Sequence, residues 1–224
     1  MIIRVIDFET TGLPPDASVC EAAFVDIDTG NDNPAIPIER HWWHLVKPTT
    51  EMSLEARATH HITDEEIQEQ SIAWEEAYKC MTALAVDAYC AHNADFEKAF
   101  FNPKGSRWID TWKVALRLWP DSPSHSNQVL RYFLNLSVGA DAMPPHRALP
   151  DAHVTAHILL RALEEAAVDE LLQWSNDPPY LTKLNFGKHR GRKFSEVPKD
   201  YLEWIIKQDM EPGVIAAAHR ELAK

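Results

Sequence analysis

Three runs of β-forming residues fill most of the first 47 positions: Ile2–Phe8, Val19–Ile27 and Ile38–Lys47, with the turn-rich Asp28–Pro37 between the last two. In succession they predict a three-strand antiparallel meander, so the chain must be organised around a sheet. A fourth strand is predicted over Val86–His92 and a short fifth over Trp108–Asp110. Helical spacing appears at Trp74–Ala85, Ala94–Phe101, 111–119 and 126–135, and most clearly at Asp151–Trp174, where Ala, Leu, Val and Ile recur every three or four residues. Thr63 and Glu66 form a Thr-x-x-Glu capping box that should start a helix near Asp64. Met143-Pro144-Pro145 reads as a loop.

Length bounds this plan: 224 residues suffice for one core, or one core and a small module. Ser175–Tyr180 is polar and holds two prolines. It marks a linker over 175–182, between a body at 1–174 and a tail at 183–224. No apolar run approaches the ~20 residues of a membrane span, and the N-terminus turns acidic too early for a signal peptide. Cys20, Cys80 and Cys90 are odd in number and lack CxxC spacing, which disfavours a disulfide framework or a zinc site and fits a reducing cytoplasm.

The net charge of −12 is unevenly placed: residues 180–224 hold nine Lys/Arg and six Asp/Glu, or +3, leaving −15 on residues 1–179. An acidic body with a basic tail suits a protein that gathers divalent cations in one place and meets phosphate in another, although most of these acids read equally as a solvated surface. Asp7 and Glu9 stand out because they end an otherwise apolar strand two residues apart, which puts both carboxylates on one face. Adjacent carboxylates repel, and a hard divalent ion relieves that repulsion. On the pair alone, an edge strand with two solvated acids is the more frequent outcome.

Three segments in order change that balance. Asp7-Phe8-Glu9-Thr10-Thr11-Gly12-Leu13, Ala91-His92-Asn93-Ala94-Asp95-Phe96-Glu97 and His146-Arg147-Ala148-Leu149-Pro150-Asp151-Ala152 resemble the three motifs of the DEDDh (DnaQ-like) 3′–5′ exonuclease superfamily. Thr59–Thr63 and Asp110-Thr111-Trp112 also sit where relatives carry similar segments. The resemblance covers about residues 1–170. It implies an RNase H-like α/β fold, with a mixed five-stranded sheet flanked by helices and a small C-terminal α/β module. It implies two-metal phosphodiester hydrolysis, with Asp7, Glu9, Glu97 and Asp151 holding two Mg²⁺ or Mn²⁺ ions and His146, set apart from the other histidines by its offset from Asp151, as general base. By the same resemblance Phe8, Thr10, Gly12 and Leu13 would receive the terminal nucleotide, with His60 and Phe96 as further candidates.

One position departs from the pattern: relatives carry Asp where this chain has Glu97. Asp95 lies two residues earlier, about 200° away on a helix, so the two acids cannot face one site. Glu97 occupies the matching position and is assigned there, leaving Asp95 as a candidate helix cap.

Beyond the linker, Phe186–Arg192 followed by Tyr201–Trp204 resembles the C-terminal module of exodeoxyribonucleases within the superfamily, and DNA 3′ ends are the expected partner on that ground. Lys188, Arg190, Arg192 and Lys193 crowd a glycine-bounded turn. They could meet backbone phosphates or form an ordinary solvated hairpin. Tyr201–Gln208 reads as a helix, and Phe186, Phe194, Tyr201 and Trp204 as the tail's small core. A 3′–5′ exoribonuclease and a non-catalytic end-binding scaffold are the alternatives; Glu97 motivates the second.

Overall fold

A computed structural model of the chain describes residues 1–30, 38–139 and 142–224. It contains a five-stranded sheet formed by β1 (Ile2–Thr10), β2 (Val19–Asp28) and β3 (Ile38–Leu45), then β4 (Ala88–Ala91) and β5 (Trp108–Asp110). The order is β3-β2-β1-β4-β5. The first three strands form the expected antiparallel meander, and β4 and β5 join in parallel. This is the mixed sheet expected. The turn predicted over Asp28–Pro37 lies mostly outside the described residues.

Period-two alternation along β1 builds two cores. Ile3 and Val5 enter a cluster with Val25, Ile27 and Cys90. Ile6 and Phe8 enter another with Phe24, Met81 and Phe101. The first face is covered by α5 (Thr111–Leu118), α6 (Asn127–Phe133), α7 (Ala148–Leu163) and α8 (Val168–Asn176), the second chiefly by α3 (Trp74–Thr82). Arg4 interrupts the apolar pattern. It is fully buried, its guanidinium donates to both Asp26 carboxylate oxygens and to the Met81 carbonyl, and it lies 3.9 Å from the Phe24 ring centroid. Its charge is tolerated there because its partner is buried with it.

Two shorter helices, α1 (Leu54–His60) and α2 (Asp64–Gln70), precede α3, and α4 (Asp95–Lys98) follows β4. The α2 capping box forms as read, with Thr63 and Glu66 exchanging hydrogen bonds.

The helix predicted over Asp151–Trp174 is two helices. The chain breaks after Leu163 and restarts at Val168, where Glu170 accepts the Ala167 N–H and Glu165 accepts the Trp119 indole N–H. No glycine or proline marks this break; at it the Glu165 and Ala166 N–H groups both turn back to the Ala162 carbonyl, and the Ala167 N–H goes to the Glu170 side chain. The last helix runs on through Ser175 and Asn176, so part of the predicted linker is helical.

The tail carries α9 (Lys199–Ile205) and α10 (Pro212–Leu222), packed on Leu184, Phe194 and Val197. Its expected β component is slight: two 3₁₀ turns, Gly187–His189 and Phe194–Glu196, and one isolated bridge between Lys183 and Lys193. Phe194 is buried as expected, but Trp204 is not core: its side chain is 44% exposed. On α9, Leu202 and Ile205 face inward three residues apart, which turns Trp204 outward.

Candidate active site

The C-terminal end of β1 opens into a cleft of about 760 Å³. Asp7 and Glu9 project into it from the face that α7 covers, while Phe8 between them is buried against Trp74 and Phe101. Asp151, in the first turn of α7, meets them. One carboxylate oxygen from each of Asp7, Glu9 and Asp151 lies within 4.8 Å of the others. Glu97 enters the same cleft from α4, and His146 from the loop before α7. The four acids and the histidine picked from sequence therefore share one cavity, with Glu97 outside the tight trio.

Burial and mutual repulsion dominate the electrostatics. Burial raises the Asp7 carboxyl well above its ordinary range, and the Asp151, Glu9, Glu97 and Glu21 charges raise it further. Glu9 is pushed up to about 8 by burial, then by Asp151 and Glu21, with Arg147 pulling the other way. Asp151 is raised by burial despite hydrogen bonds from the His146 N–H and Gln128. Glu97 is raised by burial and by Asp110 and Glu9, and its Oε2 is buried without a hydrogen-bond partner. A buried oxygen left unsatisfied is costly. Oxygen-only donors under mutual repulsion are the chemistry that Mg²⁺ or Mn²⁺ satisfies, so these residues fit a divalent cation.

Three supports orient this cluster. Glu21 stands directly opposite Glu9 in the β1/β2 register. It accepts three hydrogen bonds from Arg147, from Nε to Oε1 at 3.2 Å and Oε2 at 3.0 Å and from Nη2 to Oε1 at 2.6 Å, and a fourth from the Ala148 N–H at 2.8 Å. This carboxylate thus satisfies an orphan donor at the start of α7 and ties that helix to the sheet. Removing it should cost somewhat less than the about 3–5 kcal/mol of a fully buried pair, because the Arg147 side chain is 26% exposed.

The second support sets Asp151 and His146. Asp151 Oδ2 accepts the His146 N–H at 2.8 Å, and Oδ1 accepts Gln128 Nε2 at 2.8 Å. His146 has φ 61°, a left-handed conformation worth roughly 1–2 kcal/mol of strain in a non-glycine residue. The bond to Asp151 helps hold it there and leaves the imidazole exposed at the cleft.

The third support is Asp110, which caps α5 through the Trp112 and Lys113 N–H groups and also accepts the N–H groups of Asn93 and Ala94. It fixes the turn that launches α4 and Glu97. For that reason Asp95 does not act as the helix cap expected: it is the first helical residue, exposed, and pairs with Lys98 and Lys113. Beside this turn His92 bonds Thr111 and the His125 carbonyl, and burial drops its pKa to about 4.

All six residues proposed to hold the terminal nucleotide line the cleft: Phe8, Thr10, Gly12, Leu13, His60 and Phe96. Their characters differ. Leu13 is 79% exposed and presents an apolar surface, whereas Phe8 and His60 are buried wall. His60 Nδ1 accepts the Ile62 N–H, which leaves it neutral. Thr10 Oγ1 donates to the Gly12 carbonyl and shapes the turn. Lys188, Arg190, Arg192 and Lys193 are exposed and do not line this cleft.

Sequence reading missed Glu21, Gln128 and the structural weight of Asp110. Glu21 left a trace, as an acid within the apolar run of β2. Gln128 left none.

The family model described as "Exonuclease" (RNase T type) matches residues 5–159. Exodeoxyribonuclease 10 of Escherichia coli (strain K12) is 32% identical over 214 residues, covering 92% of this chain and 90% of that protein. DNA polymerase III PolC-type of Thermotoga maritima is 30% identical over 170 residues, covering 71% of this chain and 12% of that protein. Among solved structures, exonuclease X in complex with 5′ overhanging duplex DNA superposes with a TM-score of 0.64 at 30% identity, covering 78% of this chain and 99% of that one. The nuclease domain of 3′hExo bound to rAMP shares the fold, with a TM-score of 0.58 at 16% identity.

Proposed function

The chain belongs to the DEDDh 3′–5′ exonuclease superfamily, and from that premise we propose that it removes 5′-mononucleotides from DNA 3′ ends with the help of two divalent ions. The observation that carries this reading is the repelling trio of Asp7, Glu9 and Asp151 beside the unpartnered Glu97 oxygen. These four side chains would hold Mg²⁺ or Mn²⁺. Bound there, such ions supply positive charge that lowers the water pKa and offsets the charge developing on the phosphate.

The protein's own groups do the rest. His146 accepts a proton from the attacking water. The water oxygen bonds to phosphorus as the bond to the 3′ oxygen breaks, and a proton returns to that oxygen from solvent. Leu13, Gly12 and Phe96 line the space for the terminal nucleotide. Residues 183–224, with their own small core, act as an auxiliary module whose Lys188, Arg190, Arg192 and Lys193 reach backbone phosphates. Likeness to exodeoxyribonuclease 10, and to an exonuclease solved on duplex DNA, supports DNA over RNA.

Matched 5′-labelled DNA and RNA oligonucleotides, incubated with Mg²⁺, test this. Wild-type protein should give a descending ladder on DNA and little on RNA, and Glu97→Ala should lose the ladder. A ladder mainly on RNA would overturn the substrate while keeping the chemistry. Full activity in Glu97→Ala would remove that acid from the site.

A further inference from the structure

The tail turn is clamped onto an aromatic pair. Gly187 sits at φ +62°, and a Cβ there would meet the Tyr201 hydroxyl at 2.5 Å, so any other residue would be strained there and would push Tyr201 aside. The turn holds Lys188 Nζ 5.0 Å from the Tyr201 ring centroid and the His189 ring 4.7 Å from it, edge-on. Tyr201 also packs on Trp204, with centroids 5.1 Å apart at 32°. Trp204 in turn shows a large part of its indole to solvent.

The turn's charges are left open. Among the described residues, Lys188, Arg190 and Arg192 make no ion pair. Both ring nitrogens of His189 are shielded and lack a hydrogen-bond partner. Cations without an ion pair, beside an exposed indole backed by the half-buried Tyr201, match a ligand with flat π-faces and a negative backbone. The remaining 179 residues carry a net −15, so the tail is where a polyanion meets favourable charge.

We propose that Tyr201 and Trp204, with the Gly187–Gly191 turn, form a stacking platform for single-stranded nucleic acid outside the cleft. A base lies on the Trp204 indole, and flanking phosphates meet Lys188, Arg190 and Arg192. This rests on the reading above only in taking nucleic acid as the substrate class, and it names a second contact, on unpaired bases.

The test uses the full chain in EDTA, so that binding is read without hydrolysis. Anisotropy is measured with labelled oligo-dT of about three and about twenty-five nucleotides, lengths that respectively fall short of and reach well past a site of ~4–16 nucleotides. Trp204→Ala should weaken the longer strand roughly 5- to 100-fold, the range expected when one base stack is removed. It should leave the short strand and a blunt duplex unchanged, and Trp204→Phe should restore most of the affinity. Equal affinity of wild type and Trp204→Ala for the longer strand overturns the platform, as does an equal loss at both lengths. Failure of the exonuclease reading would show separately, as a missing ladder when Mg²⁺ is added.

Discussion

The cleft and the tail both concentrate charge, but by opposite means. In the cleft, Asp7, Glu9, Glu97 and Asp151 are withdrawn from water and forced together, so their pKa values rise. In the tail, Lys188, Arg190, Arg192 and Lys193 stand exposed on a surface turn. Buried like charges store free energy that a specific counter-ion releases. Exposed ones act through a screened field that any polyanion or salt can answer. The cleft should therefore respond to divalent ions and single substitutions, and the tail to ionic strength and summed charge.

The largest expected effect lies in the cleft. Asp7→Ala should lower hydrolysis by roughly a hundred- to a thousand-fold or more, the scale of losing one transition-state stabiliser. Thermal stability of the metal-free protein should hold or rise, because a desolvated, repelled carboxylate has gone. Turnover near wild type in a clean preparation would break the contrast by showing that the acid trio is not the reactive centre.

A middle effect concerns pH. Glu9 has a folded pKa near 8, above the ordinary carboxylate value of 4.5. A raised carboxylate pKa means that the native state binds the proton more tightly than the unfolded chain does. Metal-free stability should then fall as pH rises from about 4.5 to about 8. Mg²⁺ should raise Tm more at the upper end of this window than at the lower, since it binds the ionised form. Calorimetric scans with and without Mg²⁺ across the window check this; a shift independent of pH would place the ion elsewhere.

The smallest effect belongs to the tail. Replacing Lys188, Arg190 and Arg192 together by Ala should weaken single-strand binding and flatten its salt dependence, the log–log slope falling by about 0.7 for each phosphate that is no longer neutralised. The same variant should leave Mg²⁺-induced stabilisation unchanged. An unaltered salt slope would mean that these cations do not meet phosphate.

Much of the architecture was legible because period-two and period-three-to-four patterns are local. All five strands appear where their residue types place them, and the Thr63 capping box begins α2 at Asp64. The α7/α8 break was not legible: Ala, Leu and Glu continue across it, and no glycine or proline interrupts them. Trp204 was misread for a similar reason, since composition counts an aromatic residue toward a core without saying which side of α9 the core occupies. The motifs that carry the family resemblance supplied Asp7, Glu9, His146 and Asp151 as candidates, and the fold gathers them in one cleft. The supports of that site were not legible, because Glu21 and Gln128 act across the fold.

By itself, then, the sequence determined the strands and helices, the common face of Asp7 and Glu9, and the His146–Asp151 offset. The elements and the common face follow from covalent geometry within an element, while the offset carries weight only through the motif it resembles. Only the tertiary structure decided that Asp151 closes on Asp7 and Glu9, that Glu97 reaches their cleft while Asp95 turns to Lys98 and Lys113, and that Trp204 faces solvent. Distance through space and exposure to water set charge repulsion and pKa, and neither is a property of neighbours along the chain.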